Sequence, residues 1–164
     1  MQKLIGLVRR CVEDYNMIEA GDRIAVGVSG GKDSLALLVF LAELRKYHSK
    51  PFTIEAITID MGLGMDYSGI RQLCEKLDVP FHLVSTQIAP LIFEHRKESN
   101  PCSLCAKMRK GALNQALKEL GFQKIAYAHH KDDVVETMLL SLIFEGRFHT
   151  FAPVTYLDRM DVTV

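Results

Sequence analysis

Residues 26–38 read VGVSGGKDSLALL. An apolar run meets a Gly-Gly pair, a lysine, an aspartate and a serine, and then turns apolar again. Both flanks have the composition of buried segments, the first β-prone and the second helical, so the polar corner lies where a strand hands over to a helix. Glycines at 30 and 31 allow a sharp turn and let a ligand come close to the backbone without a Cβ in the way. The helix that follows offers unpaired N–H groups and the positive end of its dipole. Lys32 adds a full charge, and Ser29 and Ser34 add hydroxyl donors. Such a cradle suits phosphate or pyrophosphate; the plainer alternative is a tight turn with Ser29 or Asp33 as the helix N-cap.

Working outward, residues 23–29, 52–60, 81–85 and 124–129 read as short strands bounded by Pro51, Pro80 and Gly121. Helical patterns fill the intervals at 35–46, 70–77, 104–120 and 134–144. Strands alternating with helices predict an α/β fold, a doubly wound parallel sheet with helices on both faces. No repeat, low-complexity tract or linker interrupts the chain, so residues 1–164 are expected to form a single domain. In such a sheet ligands bind where strand ends meet helix starts. Ser29 to Ser34, Asp60 to Gly62 and His129 to Asp133 all fall at such ends.

Hydrophobic residues make up 48% and charged residues 24%, with twenty basic and twenty acidic side chains in balance. No global charge draws the protein to nucleic acid or membrane, so a polyanionic partner would have to be met by a local patch. No apolar run reaches the ~18 residues of a membrane span, and the N-terminus lacks a signal-peptide core. A cytoplasmic address and no membrane partner are expected. Four cysteines stand at positions 11, 74, 102 and 105, and a reducing compartment argues against a disulfide framework. Cys11 lies on a helical stripe with Leu4, Leu7, Val8, Val12 and Tyr15, and Cys74 follows Ile70 at the same spacing, so both are expected in the core.

Cys102 and Cys105 form a C-x-x-C pair beside a helix start. Thiolates so placed are stabilised by the helix dipole and can take a soft metal or enter redox exchange; two packing cysteines are the bland alternative. Two sulfurs do not complete a zinc or iron–sulfur site. Between His95 and Lys110 stand Arg96, Lys97, Lys107, Arg109 and Lys110 against the single acid Glu98. That run is either a solvated helix face or a contact for an RNA phosphate backbone. His129-His130-Lys131-Asp132-Asp133 closes the fourth strand, and its aspartates can cap the next helix or hold Mg²⁺ against phosphate oxygens.

Two familiar phosphate motifs are excluded. Gly27 stands one residue too close to Gly31 for a Walker loop, and Ser29 occupies the place of the second glycine of a dinucleotide fingerprint. SGGKDS after an apolar strand instead resembles the pyrophosphate loop of the PP-loop ATPases, whose fold is adenine nucleotide alpha hydrolase-like. Members cleave ATP between the α and β phosphates and activate an oxygen as its adenylate. Together with PCSLCAKMRKG and AHHKDDVVETMLLSLIFEGR, in this order, the chain resembles the tRNA 2-thiocytidine synthetase group.

The resemblance implies an ATP-dependent tRNA thiolase that uses ATP, Mg²⁺ and a [4Fe–4S] cluster and takes tRNA and a sulfur donor, sulfide or desulfurase-derived. A homodimer is left open. It implies that Ser29, Gly30, Gly31, Lys32, Asp33 and Ser34 bind the phosphates, with Ile59 and Asp60 beside the adenosine. Ala128, His129 and Asp133 would flank the nucleotide, with Asp132 or Asp133 on Mg²⁺. Lys32, Asp33, Cys102 and Cys105 would serve catalysis, the cysteines as cluster ligands. The group's third cysteine lies downstream of the Asp-Asp helix and is absent before Val164, so the chain is expected to be shortened at its C-terminus relative to the group. Two competing readings are a nucleotide-binding module with structural zinc and a PP-loop ligase that adenylates another substrate.

Overall fold

The way apolar residues run through the strands calls for a sheet covered on both sides. In the computed structural model, which describes residues 2–96 and 101–164, strand β1 (Arg23–Gly27) buries Ile24, Ala25 and Val26 in succession. β2 (Thr53–Asp60) buries Ile54, Ala56, Ile57 and Thr58. Unbroken burial of this kind marks a strand with helices on both faces. β3 (Phe81–Ser85), β4 (Lys124–Ala126), β5 (Tyr156–Leu157) and β6 (Val162–Thr163) complete a six-stranded sheet of order β3-β2-β1-β4-β6-β5. The pairs are parallel except β5–β6.

The helices are α1 (Gln2–Asp14), α2 (Lys32–Leu44), α3 (Ser68–Lys76), α4 (Ile88–Pro90), α5 (Pro101–Glu119) and α6 (Lys131–Glu145), with a π-helical turn at Leu91–Arg96 after α4. Alternate strand residues feed separate cores. Ile24, Val26, Ile54 and Ala56 pack with Leu38, Leu41 and Leu44 of α2, Val12 of α1 and Cys74 of α3. Ala25 and Ile57 point the other way, onto Ala116 and Leu117 of α5, with Phe122, Ile125 and Val162. The doubly wound arrangement follows directly from that alternation.

Several local expectations need correction. Cys11 is exposed, not buried, as are Leu4, Leu7 and Tyr15, whereas Cys74 is 1% exposed as expected. The face of α1 that meets α2 carries Ile5, Val8 and Val12 at i, i+3 and i+7, which turns Cys11 outward. Strand β4 ends at Ala126 rather than running to residue 129, and residues 127–130 carry no ladder. Gly62 shows why the β2 loop needs a glycine. Its φ is +80°, and a Cβ there would sit 2.8 Å from the Thr86 carbonyl oxygen and 3.2 Å from Pro90 Cδ.

α6 is apolar around most of its circumference, yet Ser141 is its one buried residue. Val135, Leu139, Leu140, Leu142, Ile143 and Phe144 are exposed, Ile143 at 71% and Phe144 at 78%. Among the described residues, no helix is long and apolar enough to cross a membrane.

Candidate nucleotide site

The corner at residues 29–34 is held by its own serines. Ser34 Oγ donates to the Gly31 carbonyl at 2.9 Å and accepts from the Ser29 N–H at 3.2 Å, and the two serine hydroxyls are 3.2 Å apart. Gly30 turns at φ +86°, and Gly31 is the N-cap of α2. No side chain caps that helix, so neither Ser29 nor Asp33 plays the capping role. The N–H groups of its first turn therefore face the loop's concavity with their dipole uncompensated by a side-chain acceptor.

Two further contacts set the loop's position on the sheet. Val28 donates its N–H to the Ile57 carbonyl at 2.9 Å, and the buried Thr58 hydroxyl donates to the Val28 carbonyl at 2.7 Å. Thr58 was not singled out from the sequence; a threonine inside an otherwise apolar strand was the available signal.

Lys32 folds back on Asp33, with Nζ 2.9 and 3.0 Å from the two carboxylate oxygens. That hydrogen bond, reinforced by the charges of Asp33 and Asp133, pushes the lysine pKa up. Lys32 is thus a firmly protonated, solvent-facing cation at the rim of the loop. Asp133 lies on the first turn of α6 and accepts from the His130 N–H at 2.7 Å, which lowers its pKa, assisted by the charges of His130, His129 and Lys32. The reciprocal cap pairs His130 with Asp133, so Asp133 does cap α6. Asp132 is exposed and makes no hydrogen bond or ion pair among the described residues.

On the other side of the loop, Asp60 organises the end of β2. Its carboxylate accepts from the Gly62 N–H at 2.9 Å and from the Tyr67 hydroxyl at 3.2 Å, while Thr86 donates its hydroxyl to the Asp60 carbonyl at 2.7 Å. Ile59 is half-buried beside it. Strand order therefore puts Ile59 and Asp60 on one flank of the loop and Ala128, His129 and Asp133 on the other.

Tyr127, also missed in the sequence, leans over the end of β1. A Cβ at Gly27 would lie 3.0 Å from its ring carbons, so the glycine makes room for the ring. Burial pushes the Tyr127 pKa up, against the opposing charge of Arg109 on α5. Arg109 lies one turn beyond Cys105, on the same side of the helix. The cysteine pair thus opens the helix that carries Arg109, whose charge acts on Tyr127.

Cys102 is exposed and Cys105 half-buried, and both are free thiols. Among the described residues no group of three His, Cys, Asp or Glu side chains is placed to hold a metal. The two thiols fall short of the set a cubane cluster requires, and no step is assigned to such a cluster on this chain. Lys107, Arg109 and Lys110 are exposed along α5. Lys97 and Glu98 lie outside the described residues, as do the side chains of His95 and Arg96.

Comparison with known proteins agrees with this geometry. Residues 6–152 match the PP-loop domain family. A tRNA-cytidine(32) 2-sulfurtransferase from Pelobacter propionicus is 40% identical over 166 residues, covering 99% of this chain and 61% of that protein. Its counterpart from Geobacter sulfurreducens is 39% identical, covering 99% of this chain and 64% of that protein. The chain thus spans less than two thirds of these relatives. Among solved structures, the U34-tRNA thiolase NcsA from Methanococcus maripaludis with its [4Fe-4S] cluster superposes with a TM-score of 0.72 at 25% identity, covering 87% of this chain and 50% of that one. An NH3-dependent NAD synthetase from Campylobacter jejuni shares the fold, with a TM-score of 0.51 at 15% identity over 80% of this chain and 56% of that one. With the uncapped glycine loop of residues 29–34 and the match over residues 6–152, the chain belongs to the PP-loop domain family.

Proposed function

We propose that this chain is the ATP-binding and adenylating part of a tRNA sulfurtransferase whose target is a cytidine. The observation that carries the reading is the convergence of Lys32, Asp133 and the uncapped start of α2 at the C-terminal ends of the neighbouring strands β1 and β4. The kinship with tRNA-cytidine(32) 2-sulfurtransferases supports the substrate class.

ATP binds with its β and γ phosphates in the loop formed by Ser29, Gly30, Gly31, Lys32, Asp33 and Ser34. The cytidine O2 attacks the α phosphorus, the bond to the bridging oxygen breaks, and pyrophosphate leaves. Lys32 and the first-turn N–H groups stabilise the charge that grows on the departing pyrophosphate, a preorganised electrostatic contribution. Sulfide, free or released from a desulfurase persulfide by two-electron reduction with an external thiol, then adds to C2 and expels AMP. Asp133, its carboxylate held anionic by the His130 N–H, would hold Mg²⁺ with Asp132 as the second carboxylate, and the ion would neutralise phosphate charge. Cys102 and Cys105 would supply two of the thiolates of a [4Fe–4S] cluster only with a further ligand from outside the described residues, and such a group would hold or deliver sulfur. The apolar outer face of α6 supports association of two copies, and a tRNA substrate is consistent with work in the cytoplasm.

Calorimetric titration tests the central point. Lys32→Ala should weaken ATP binding by about tenfold or more, as expected for loss of a charge-assisted contact to phosphate. An unchanged dissociation constant would refute the phosphate assignment. ATP–pyrophosphate exchange that runs equally fast without tRNA would favour a ligase acting on a small substrate.

A further inference from the structure

Three aromatic rings stand in a row at the mouth of the site. Tyr127 covers the end of β1, with its ring carbons 3.0 Å from where a Gly27 Cβ would lie. The His129 ring follows at 5.9 Å, and Phe151 lies 5.0 Å beyond it, tilted by 44°. Phe151 reaches this place because α6 stops at Gly146, whose φ of +62° reverses the chain. The chain then runs back along the helix until the Thr150 hydroxyl donates to the Val134 carbonyl at 3.1 Å. His129 is exposed and Phe151 half-buried, so the row ends in a partly open aromatic face.

We propose that Phe151, backed by the His129 ring, forms the stacking seat for the RNA base that is to be modified, resting on the tRNA reading given above. The strand order carries the argument. β1 and its phosphate loop lie between β2 and β4. Were the adenosine to lie beside Ile59 and Asp60 on the β2 side, as the resemblance implies, an acceptor reaching the α phosphorus would approach across the loop, from the β4 side. The row of rings stands there. A pyrimidine drawn out of an RNA loop needs a flat apolar face to replace its lost stacking, and aromatic side chains supply it. Arg109, close enough to Tyr127 to influence its ionisation, adds a cation for the neighbouring phosphate.

The chain contains no tryptophan, so Phe151→Trp places a single reporter at this position. The probe is an anticodon stem-loop RNA with cytidine at position 32, compared with the same RNA made abasic there. Indole emission should fall with the cytidine RNA and stay nearly unchanged with the abasic one. Phe151→Ala should weaken binding of the cytidine RNA by about tenfold, the scale of one base–aromatic stack, while Phe151→Tyr retains it. ATP affinity, measured by calorimetry, should be the same in Phe151→Ala and the parent chain, which also shows that the variant folds. Equal quenching by the abasic RNA, or quenching by ATP alone, would overturn the seat while leaving the tRNA reading intact. Failure of the parent chain to bind either RNA would overturn both.

Discussion

Replacing Gly62 by alanine probes how firmly the β2 end of the site is built. Gly62 has φ +80°, so a side chain there carries the left-handed penalty of roughly 1–2 kcal/mol. The added Cβ also meets the Thr86 carbonyl oxygen at 2.8 Å and Pro90 Cδ at 3.2 Å. Thr86 cannot simply retreat, because its N–H and hydroxyl both donate to the Asp60 carbonyl, at 3.0 and 2.7 Å. Overpacking against a backbone held in this way adds about 1–3 kcal/mol. The combined loss of about 2–5 kcal/mol corresponds to a fall in Tm of roughly 4–20 °C for a chain of this size. Gly64→Ala is the internal control, since Gly64 has φ +68° with nothing within 4 Å of the added carbon, leaving the conformational penalty alone. Thermal unfolding followed by circular dichroism reads both variants. If Gly62→Ala melts no lower than Gly64→Ala, the close approach of the two loops is wrong.

Other expectations concern charge and surface. Reversing Lys107, Arg109 and Lys110 to glutamate should weaken tRNA binding and make the slope of log affinity against log salt shallower by about two to three; an unmoved slope would make them a solvated face. Glu55 is held between Arg23 at 2.5 Å and His82 at 2.6 Å. Burial alone would raise its pKa, but the hydrogen bonds from Arg23 and His82 outweigh burial and hold it below the ordinary carboxylate value. A depressed folded pKa means stabilisation that is present above the unfolded pKa of about 4.3 and lost as pH falls through the lower folded value, so Glu55→Gln should flatten the acid limb of a urea-unfolding series below about pH 4.5. Ile143→Glu with Phe144→Glu should reduce binding of a hydrophobic dye and shift light scattering toward the mass of one chain; no change in either would mean the outer face of α6 is not sticky.

What was readable in advance divides along physical lines. The glycine turn at residues 29–34, the strand and helix alternation and the Asp133 cap depend on neighbours within a few residues, so local pattern reveals them. Cys11 lies outward because α1 is amphipathic with two plausible stripes offset by one residue, and packing on the core that holds α2 selects the one with Val8 and Val12. Thr58 on Val28, Tyr127 over Gly27 and Phe151 against His129 join residues far apart in sequence. Their meeting is decided by strand order and by the reversal at Gly146, neither of which a local pattern encodes. The early end of β4 has the same origin, since Tyr127 must leave the ladder to cover Gly27.

The sheet is not equally strong across its width. β2 and β3 share five register pairs, as do β1 and β2, whereas β4 and β6 share one, Lys124 with Thr163. The Thr163 N–H donates to the Gln123 carbonyl at 2.8 Å, and the hairpin beyond it is closed on itself by Thr155 and Val164. The hairpin can therefore detach by sub-global opening while the central strands stay folded, and its amides should exchange with solvent well before those of Ile24 to Val26. Phe151 lies on the segment leading into that hairpin, so the least cooperative part of the molecule is joined directly to the mouth of the site. The far edge of the sheet can then open without disturbing the glycine turn of residues 29–34 at its centre.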